Sequence, residues 1–266
     1  MFASLSQSMI NSFMICPERF RRRYVEEEII PPGIAAKIGT GFHKGCEVNH
    51  LAKLQSGMDE PLDVIQDAAR DEYVRSVKED GVLFAPEEES SARVKLEEGI
   101  DTVVELAESY YCSLAPQIHP ALVEETLYVD IPELDLPLQG RIDVYTTDGW
   151  LPDLKTAARK WSQVKADTSV QATVYHTLVL AKTGEPPKKL SFEVFVKNKK
   201  SEHQSVETTR SCEDFRSLCV RIQTMMRLVY AGLFSPAPAD SWICQPKWCG
   251  YFWTCPYIPA HRKCHN

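Results

Sequence analysis

Long hydrophobic runs are missing from this sequence, and that absence limits its class. No stretch approaches the about 20 apolar residues that a membrane-spanning helix needs, which excludes a helical membrane protein. The first residues, MFASLSQSMINSF, have neither the basic segment nor the apolar core of a secretory signal, so we expect a cytoplasmic protein. Basic charge is not in excess, since 37 acidic residues outnumber 30 basic ones. This balance argues against a surface that is basic throughout and leaves room for a local basic groove.

The composition is that of an ordinary globular chain: 44% of the 266 residues are hydrophobic and 25% are charged. Apolar residues recur at helical spacing in the first part and alternate along short strands after Pro116. The sequence therefore predicts a helical region over 1–115, an α/β core over 116–234 and a cysteine-rich segment over 235–266. Helices are expected over 6–16, 38–55, 61–78, 90–114, 169–182 and 213–233, and strands over 122–131, 138–146, 150–155 and 190–197.

Two carboxylates and a lysine stand on neighbouring predicted strands. Asp143 ends the run Gly140-Arg-Ile-Asp, and Asp153-Leu-Lys155 follows after a turn. Residues two apart project from the same face of a strand, so Asp153 and Lys155 point together and Asp143 can face them. Converging carboxylates bind Mg²⁺ or Mn²⁺, and a lysine beside the ion orients water and offsets phosphate charge. The group predicts phosphodiester hydrolysis, although the tripeptide alone also fits a surface salt bridge.

Two further motifs flank this group. His43 follows Gly39-x-Gly41-Phe42 at a predicted helix start, and Gln171 and Tyr175 lie four apart on one face of a later helix. Glu47, four residues after His43, is a candidate partner for its imidazole. A histidine, G-x-x-D, D-x-K and Q-x-x-x-Y in this order resemble the RecB-type branch of the PD-(D/E)xK nuclease superfamily.

The resemblance implies a small mixed sheet flanked by helices and Mg²⁺- or Mn²⁺-dependent DNA cleavage, exonucleolytic on single strands or ends. It implies that His43, Asp143, Asp153 and the backbone carbonyl of Leu154 hold the metal. Lys155 is then catalytic, and Gln171 and Tyr175 line the DNA side of the site. Basic residues nearby are candidates for phosphate contacts, and one tryptophan for base stacking: Arg141, Arg159, Lys160, Lys165 and Trp161.

Nine cysteines divide into two groups. Those that stand singly in helical stretches are expected to be small buried side chains: Cys46, Cys112, Cys212 and Cys219. Cys244, Cys249 and Cys255 lie within twelve residues, a density typical of zinc or iron–sulfur sites, and Cys264 is the nearest fourth ligand. RecB-type nucleases with a [4Fe-4S] cluster, such as AddB-like subunits and CRISPR-associated exonucleases, take one cysteine from before the core. The resemblance therefore favours Cys16, although the four residues between Cys244 and Cys249 depart from the usual two and leave zinc open.

Two other functions fit part of the pattern. One is an adaptor subunit of a recombination or CRISPR adaptation complex that binds nucleic acid without useful catalysis. The intact Asp143, Asp153 and Lys155 argue against it. The other is a zinc-stabilised interaction protein in which the Asp-x-Lys sequence is accidental.

Overall fold

Most helices lie early in the chain and most strands later, in a computed structural model that describes residues 2–198 and 200–258. The helices are α1 Gln7–Ile15, α2 Pro17–Phe20, α3 Ile34–Ser56, α4 Leu62–Asp80, α5 Ala92–Ser113, α6 Gln163–Asp167, α7 Val170–Thr183 and α8 Cys212–Tyr230. The strands are β1 Leu5–Ser6, β2 Pro120–Val123, β3 Thr126–Val129, β4 Leu138–Arg141, β5 Val144–Thr146, β6 Trp150–Ala157, β7 Lys189–Val196 and β8 Glu202–Glu207. The predicted α/β fold is confirmed. No helix in this described part of the chain is long and apolar enough to cross a membrane.

Three long helices, α3, α4 and α5, form the predicted helical layer. Their buried faces share a core with the strands through residues such as Tyr73, Tyr110 and Phe195. Helix α3 begins at Ile34, four residues earlier than expected, directly after Pro31-Pro32-Gly33. Gly41 and Gly45 let α3 approach α4, because a Cβ at Gly41 would lie 2.6 Å from a backbone oxygen of α4.

The strands form three small sheets rather than one continuous ladder. Strand β7 is parallel to β6 and antiparallel to β8, and β4 lies between a parallel β1 and an antiparallel β3. Strand β6 pairs in parallel with β7, and no ladder among the described residues joins it to β5. Strand β8 was not predicted, because in Glu202–Glu207 only Val206 is buried, as on a half-exposed edge strand.

Each of the first two predicted strands is divided in two. The expected strand over 122–131 is interrupted between β2 and β3, and the one over 138–146 between β4 and β5. The two interruptions lie opposite each other in one antiparallel hairpin, between the facing pairs Val123–Val144 and Thr126–Arg141. The hairpin therefore bends between these pairs, and the residues at the bend belong to the candidate site.

The chain ends meet on one side of the fold. Strand β1 pairs with β4, and α1 packs against α7 and α8. The segment 235–258 consists mainly of turns and returns to the chain after α2. Tyr251 donates a hydrogen bond to the Glu28 carbonyl (2.5 Å), and Arg22 donates one to the Thr254 hydroxyl (2.6 Å). The three-region division of the chain stays a prediction.

Candidate active site

Glu124 and Asp143 face each other at the bend of the hairpin. The Glu124 N–H donates to the Asp143 carbonyl at 3.0 Å, and the Ile142 N–H donates to the Glu125 carbonyl at 3.2 Å. Glu124 has a φ of 50°, in the left-handed region that non-glycine residues rarely adopt. A residue held in such a conformation often marks a functional position, and here it carries a carboxylate.

His43 joins these two carboxylates from α3. Its Nδ1 lies 3.2 Å from Asp143 Oδ1. His43, Glu124 and Asp143 offer ligand atoms that lie within 4.8 Å of one another, a spacing suited to one metal ion. The close packing of α3 on α4 fixes the position of the imidazole relative to the bent hairpin.

Asp153 and Lys155 enter from β6, on the same face as their spacing predicts. Lys155 Nζ lies 2.5 Å from Asp153 Oδ2, and Asp153 is almost fully buried. The Leu154 N–H, between them, donates to Asp143 Oδ2 at 2.8 Å and thus joins β6 to the hairpin. We call His43, Glu124, Asp143, Asp153 and Lys155 the carboxylate site.

Helix α7 holds two of the strands that build this site. Gln171 Nε2 donates to Asp153 Oδ1 at 2.9 Å, and the Tyr175 hydroxyl donates to the Arg141 carbonyl at 2.7 Å. Tyr175 also packs on Gly140, where a Cβ would lie 2.8 Å from its ring. Gln171 and Tyr175 are therefore in contact with the carboxylate-bearing strands.

Burial and neighbouring charges shift the pKa values of the residues in the carboxylate site. Burial, supported by the charge of Asp143, raises the pKa of Glu124 to about 7 and that of Asp153 to about 6. Burial opposes ionisation of Asp143 as well, but His43 and Lys155 lower its pKa to about 2. Asp153 and Asp143 raise the pKa of Lys155 despite its burial, and Asp143 likewise raises that of His43.

The donor set fits a divalent cation. It combines an imidazole nitrogen with carboxylate oxygens, and both donor types bind divalent cations in proteins. Asp153 Oδ2 is buried and receives no hydrogen bond of acceptable geometry, although the Lys155 ammonium lies close to it. A cation would also offset the burial and the Asp143 charge that raise the pKa of Glu124 and of Asp153.

The sequence motifs did not point to Glu124. A signal was present in the pairing of the two predicted strands, 122–131 and 138–146. In their antiparallel register the numbers of facing residues add up to 267, as for Leu127 and Gly140. That register places Glu124 opposite Asp143. We expected Glu47 to be a partner of the His43 imidazole. Its carboxylate instead pairs with Lys44 at 2.9 Å and with Arg141 at 3.6 Å.

The predicted DNA-contacting residues occupy varied environments. Arg141 pairs with Glu124 at 2.6 Å, and Lys160 pairs with Glu202 at 2.9 Å, while Arg159 is exposed. The Trp161 ring has the Lys165 ammonium 3.8 Å from its centroid and the Phe192 ring at 4.9 Å. These contacts cover part of the Trp161 ring, and its role in base stacking stays a prediction.

Four cysteines line a single cavity between the two chain ends. Cys16, Cys244, Cys249 and Cys255 all contribute to its wall, and we call it the cysteine cavity. The Cys16 sulfur accepts backbone N–H bonds from Arg19 (3.4 Å) and Ala237 (3.3 Å). Cys264, the alternative ligand, lies outside the described residues.

The isolated cysteines follow the sequence prediction only in part. Cys46 and Cys219 are buried as expected. Cys112 and Cys212 are exposed, contrary to expectation. Cys112 lies near the end of α5 and Cys212 is the first residue of α8, and the side chains at these positions do not face the core.

The chain belongs to the PD-(D/E)XK nuclease superfamily, whose sequence profile matches residues 4–256. Members of this superfamily use divalent metals, and membership places the chain among the nucleases. A search of curated proteins found no match.

Two solved structures resemble the fold. The crystal structure of a candidate exonuclease from Eubacterium rectale superposes with a TM-score of 0.59 at 12% identity, covering 91% of this chain and 87% of that one. The structure of a protein designated SSO0001 has a TM-score of 0.42 at 12% identity, with coverages of 96% and 87%. At 12% identity, the likeness to the Eubacterium rectale structure supports a shared fold.

Proposed function

We propose that the protein is a Mg²⁺- or Mn²⁺-dependent deoxyribonuclease that acts as an exonuclease on single-stranded DNA or DNA ends. One observation carries the proposal: His43, Glu124 and Asp143 form a potential metal site beside Asp153 and Lys155, in a chain of a nuclease superfamily. The structural likeness to a candidate exonuclease supports the shared fold.

In this proposal His43, Asp143, Asp153 and the Leu154 carbonyl hold the metal, and Glu124 joins them. The cation supplies positive charge that activates water for attack and stabilises charge on the phosphate. Glu124 and Asp153 would hold it in their ionised forms, because a carboxylate ligand must be ionised. Asp143 is already ionised at neutral pH, since its pKa is about 2.

Lys155 serves as a fixed positive charge. Its raised pKa keeps the ammonium protonated at neutral pH, so it can donate hydrogen bonds to water or to a phosphate oxygen. Its position next to Asp153 fits this electrostatic role better than the role of a proton acceptor. Gln171 and Tyr175 act by positioning, through their bonds to Asp153 and to the Arg141 carbonyl. The exposed Arg159, with Arg141, Lys160 and Lys165, remains a candidate for phosphate contact.

We propose that the cysteine cavity holds a structural [4Fe-4S] cluster through Cys16, Cys244, Cys249 and Cys255. Thiolates of one cavity are suitable ligands for iron, and hydrogen bonds to a ligand sulfur such as Cys16 are typical of these centres. A single zinc ion at about 2.3 Å from each sulfur needs thiols less than about 4 Å apart. Among the residues described, no three of the four thiols come within 4.8 Å of one another, which favours the larger group.

A cluster of this kind implies a reducing compartment, where thiols remain available to iron, and therefore the cytoplasm. Recombination or CRISPR adaptation proteins are the partners that the resemblance suggests. The absorption spectrum separates the alternatives, because a protein with iron–sulfur absorbs near ~400 nm and a zinc protein is colourless.

A nuclease assay with end-labelled substrates tests the main proposal. The protein is incubated with single-stranded and double-stranded DNA, with Mg²⁺, with Mn²⁺ and with chelator. We expect mononucleotides or short products from single strands or ends with metal, and none with chelator. Binding without cleavage in either metal would support the adaptor function instead, and internal cleavage of circular single strands would contradict the exonuclease assignment.

A further inference from the structure

A groove of about 660 Å³ runs between the N-terminal helix and the cysteine-rich segment. Its walls come from α1, from the segment 30–33 with the start of α3, and from residues 247–251. We call it the terminal groove. It is separate from the carboxylate site, and the function proposed above does not use it.

The terminal groove is basic in an acidic protein. Arg19, Arg23 and Lys247 line it, and none of its lining residues is Asp or Glu. These three cations form no ion pair with a carboxylate among the described residues, and Arg23 Nη1 is buried without a hydrogen-bond partner. Arg21 and Arg22, in the same run, are instead paired with Glu18, Glu26 and Glu28. Carboxylates therefore neutralise Arg21 and Arg22, whereas Arg19 and Arg23, which line the groove, have no such ion pair in the described part of the chain.

An aromatic ring and small polar side chains complete the surface. Trp248 is 51% exposed in the groove, with Lys247 Nζ 5.3 Å from its ring centroid and Trp242 against one edge. Helix α1 contributes Gln7, Ser8, Asn11 and Ser12. Unpaired cations with an exposed ring and neutral donors are the composition of surfaces that bind single-stranded nucleic acid, with charge along the backbone and stacking on bases.

The terminal groove and the carboxylate site lie along one face of α3. Ala36 lines the groove, and His43 follows it by seven residues, which is about two helical turns and about 10 Å. Thr40 lies between them and is exposed, and its hydroxyl donates to the Ala36 carbonyl. A strand that leaves the metal site along this face reaches the groove within about three nucleotides, because even the stacked strand of a duplex advances about 3.4 Å per nucleotide.

We propose that the terminal groove binds the single-stranded part of the DNA substrate and directs one strand to the carboxylate site. This inference rests on the proposed nuclease function and adds the place where the uncleaved strand is held. Arg23 and Lys247 contact phosphates, and Trp248 stacks on a base. A duplex end would have to separate before its strand could enter.

Binding of fluorescent single-stranded DNA to an Asp143→Asn background, measured by anisotropy in chelator at several salt concentrations, tests the groove. In Arg23→Gln with Lys247→Gln, the slope of log affinity against log salt should fall by about 1.4, or about 0.7 for each lost cation. Trp248→Ala should weaken binding about tenfold through lost stacking. The matched control, Arg93→Gln with Arg216→Gln, removes two exposed arginines that pair on their own helices and should leave binding unchanged.

The outcomes separate the two proposals. Unchanged binding and an unchanged salt slope in the Arg23→Gln, Lys247→Gln protein would overturn the groove, even if the parent enzyme cleaves DNA. A parent enzyme that does not cleave, with binding lost in these variants, would overturn the nuclease function and leave the groove standing. Equal loss of affinity for a blunt duplex would show general phosphate attraction and would also overturn the single-strand assignment.

Lys247 and Trp248 lie within two residues of Cys249, so the integrity of the cysteine-rich segment is measured separately. Arg23→Gln alone avoids this segment and should reduce the salt slope by about 0.7. Metal content and melting temperature are measured for each variant. A weakened variant with the metal content and melting temperature of the parent supports the groove, whereas Arg23→Gln with an unchanged slope opposes it.

Discussion

The carboxylate site and the cysteine cavity differ in what holds their ligands. In the carboxylate site, regular elements position the side chains: a bent hairpin, β6, α3 and α7, joined by hydrogen bonds such as Leu154 N–H to Asp143. In the cysteine cavity, Cys244, Cys249 and Cys255 lie in a segment of turns, joined to the first part of the chain by single contacts such as that of Tyr251 with the Glu28 carbonyl. The comparison indicates that the fold forms the first site, whereas the second would depend on the group that we propose for it.

Removing one carboxylate gives the largest expected effect. Asp143→Asn should lower cleavage at least a thousandfold with little loss of stability, because the fold holds the site and the carboxylate serves the metal. Asp153→Ala and Lys155→Ala should behave alike. Rates on labelled DNA and thermal melting measure both effects, with the exposed Asp101→Asn as control. More than a tenth of the parent activity in Asp143→Asn would contradict the assignment.

Removing one thiol should have the opposite pattern. Cys16→Ser should lose the bound metal and lower the melting temperature by about 10 °C or more, because the segment 235–258 loses its common anchor. The control Cys219→Ser, a buried cysteine outside the cavity, should cost about 1 kcal/mol and keep the metal. Metal content and calorimetry on anaerobically purified protein distinguish them. Full iron in Cys16→Ser, with loss in Cys264→Ser, would favour a site within the tail.

Acid should weaken the carboxylate site by competition. Glu124 and Asp153, with pKa values of about 7 and about 6, bind protons as pH falls from 7 to 5, so Mn²⁺ affinity should drop about a hundredfold or more. The same raised pKa values should make the metal-free protein less stable as pH rises from about 4 to 7, because its folded state binds more protons. Calorimetric titration of Mn²⁺ across this range measures the first effect. Glu124→Gln should flatten its upper part, and an identical profile in that variant would exclude Glu124 as a ligand.

The smallest effect concerns positioning by α7. Tyr175→Phe removes the hydrogen bond to the Arg141 carbonyl and should reduce the free energy of unfolding by about 1 kcal/mol. The exposed Tyr128→Phe should change it by less than about 0.5 kcal/mol. Denaturant unfolding measures both. Equal effects would mean that the Tyr175 bond contributes nothing to the strand that precedes Asp143.

The sequence predicted the parts of the site that short-range patterns encode. Alternation places Asp153 and Lys155 together, and helical spacing places Gln171 and Tyr175 on one face. It missed Glu124 because its partner, Asp143, is 19 residues away, and the bend arises only when the two strands pair. Strand β8 was missed for a related reason, since a polar edge strand has little hydrophobic pattern of its own.

Because Cys16 and Cys244 lie near opposite ends of the sequence, ribosomes synthesise them at different times. At about 5–20 residues per second, ribosomes complete Cys244 roughly 10–45 s after Cys16. Throughout that interval α1 exists without the segment that closes over it, so neither the cysteine cavity nor the terminal groove can form. The hairpin, β6 and α7 are all synthesised earlier, and the carboxylate site can therefore assemble before the terminal groove. If the cysteine cavity holds the proposed cluster, its insertion after synthesis of Cys255 becomes the step that makes the terminal groove available.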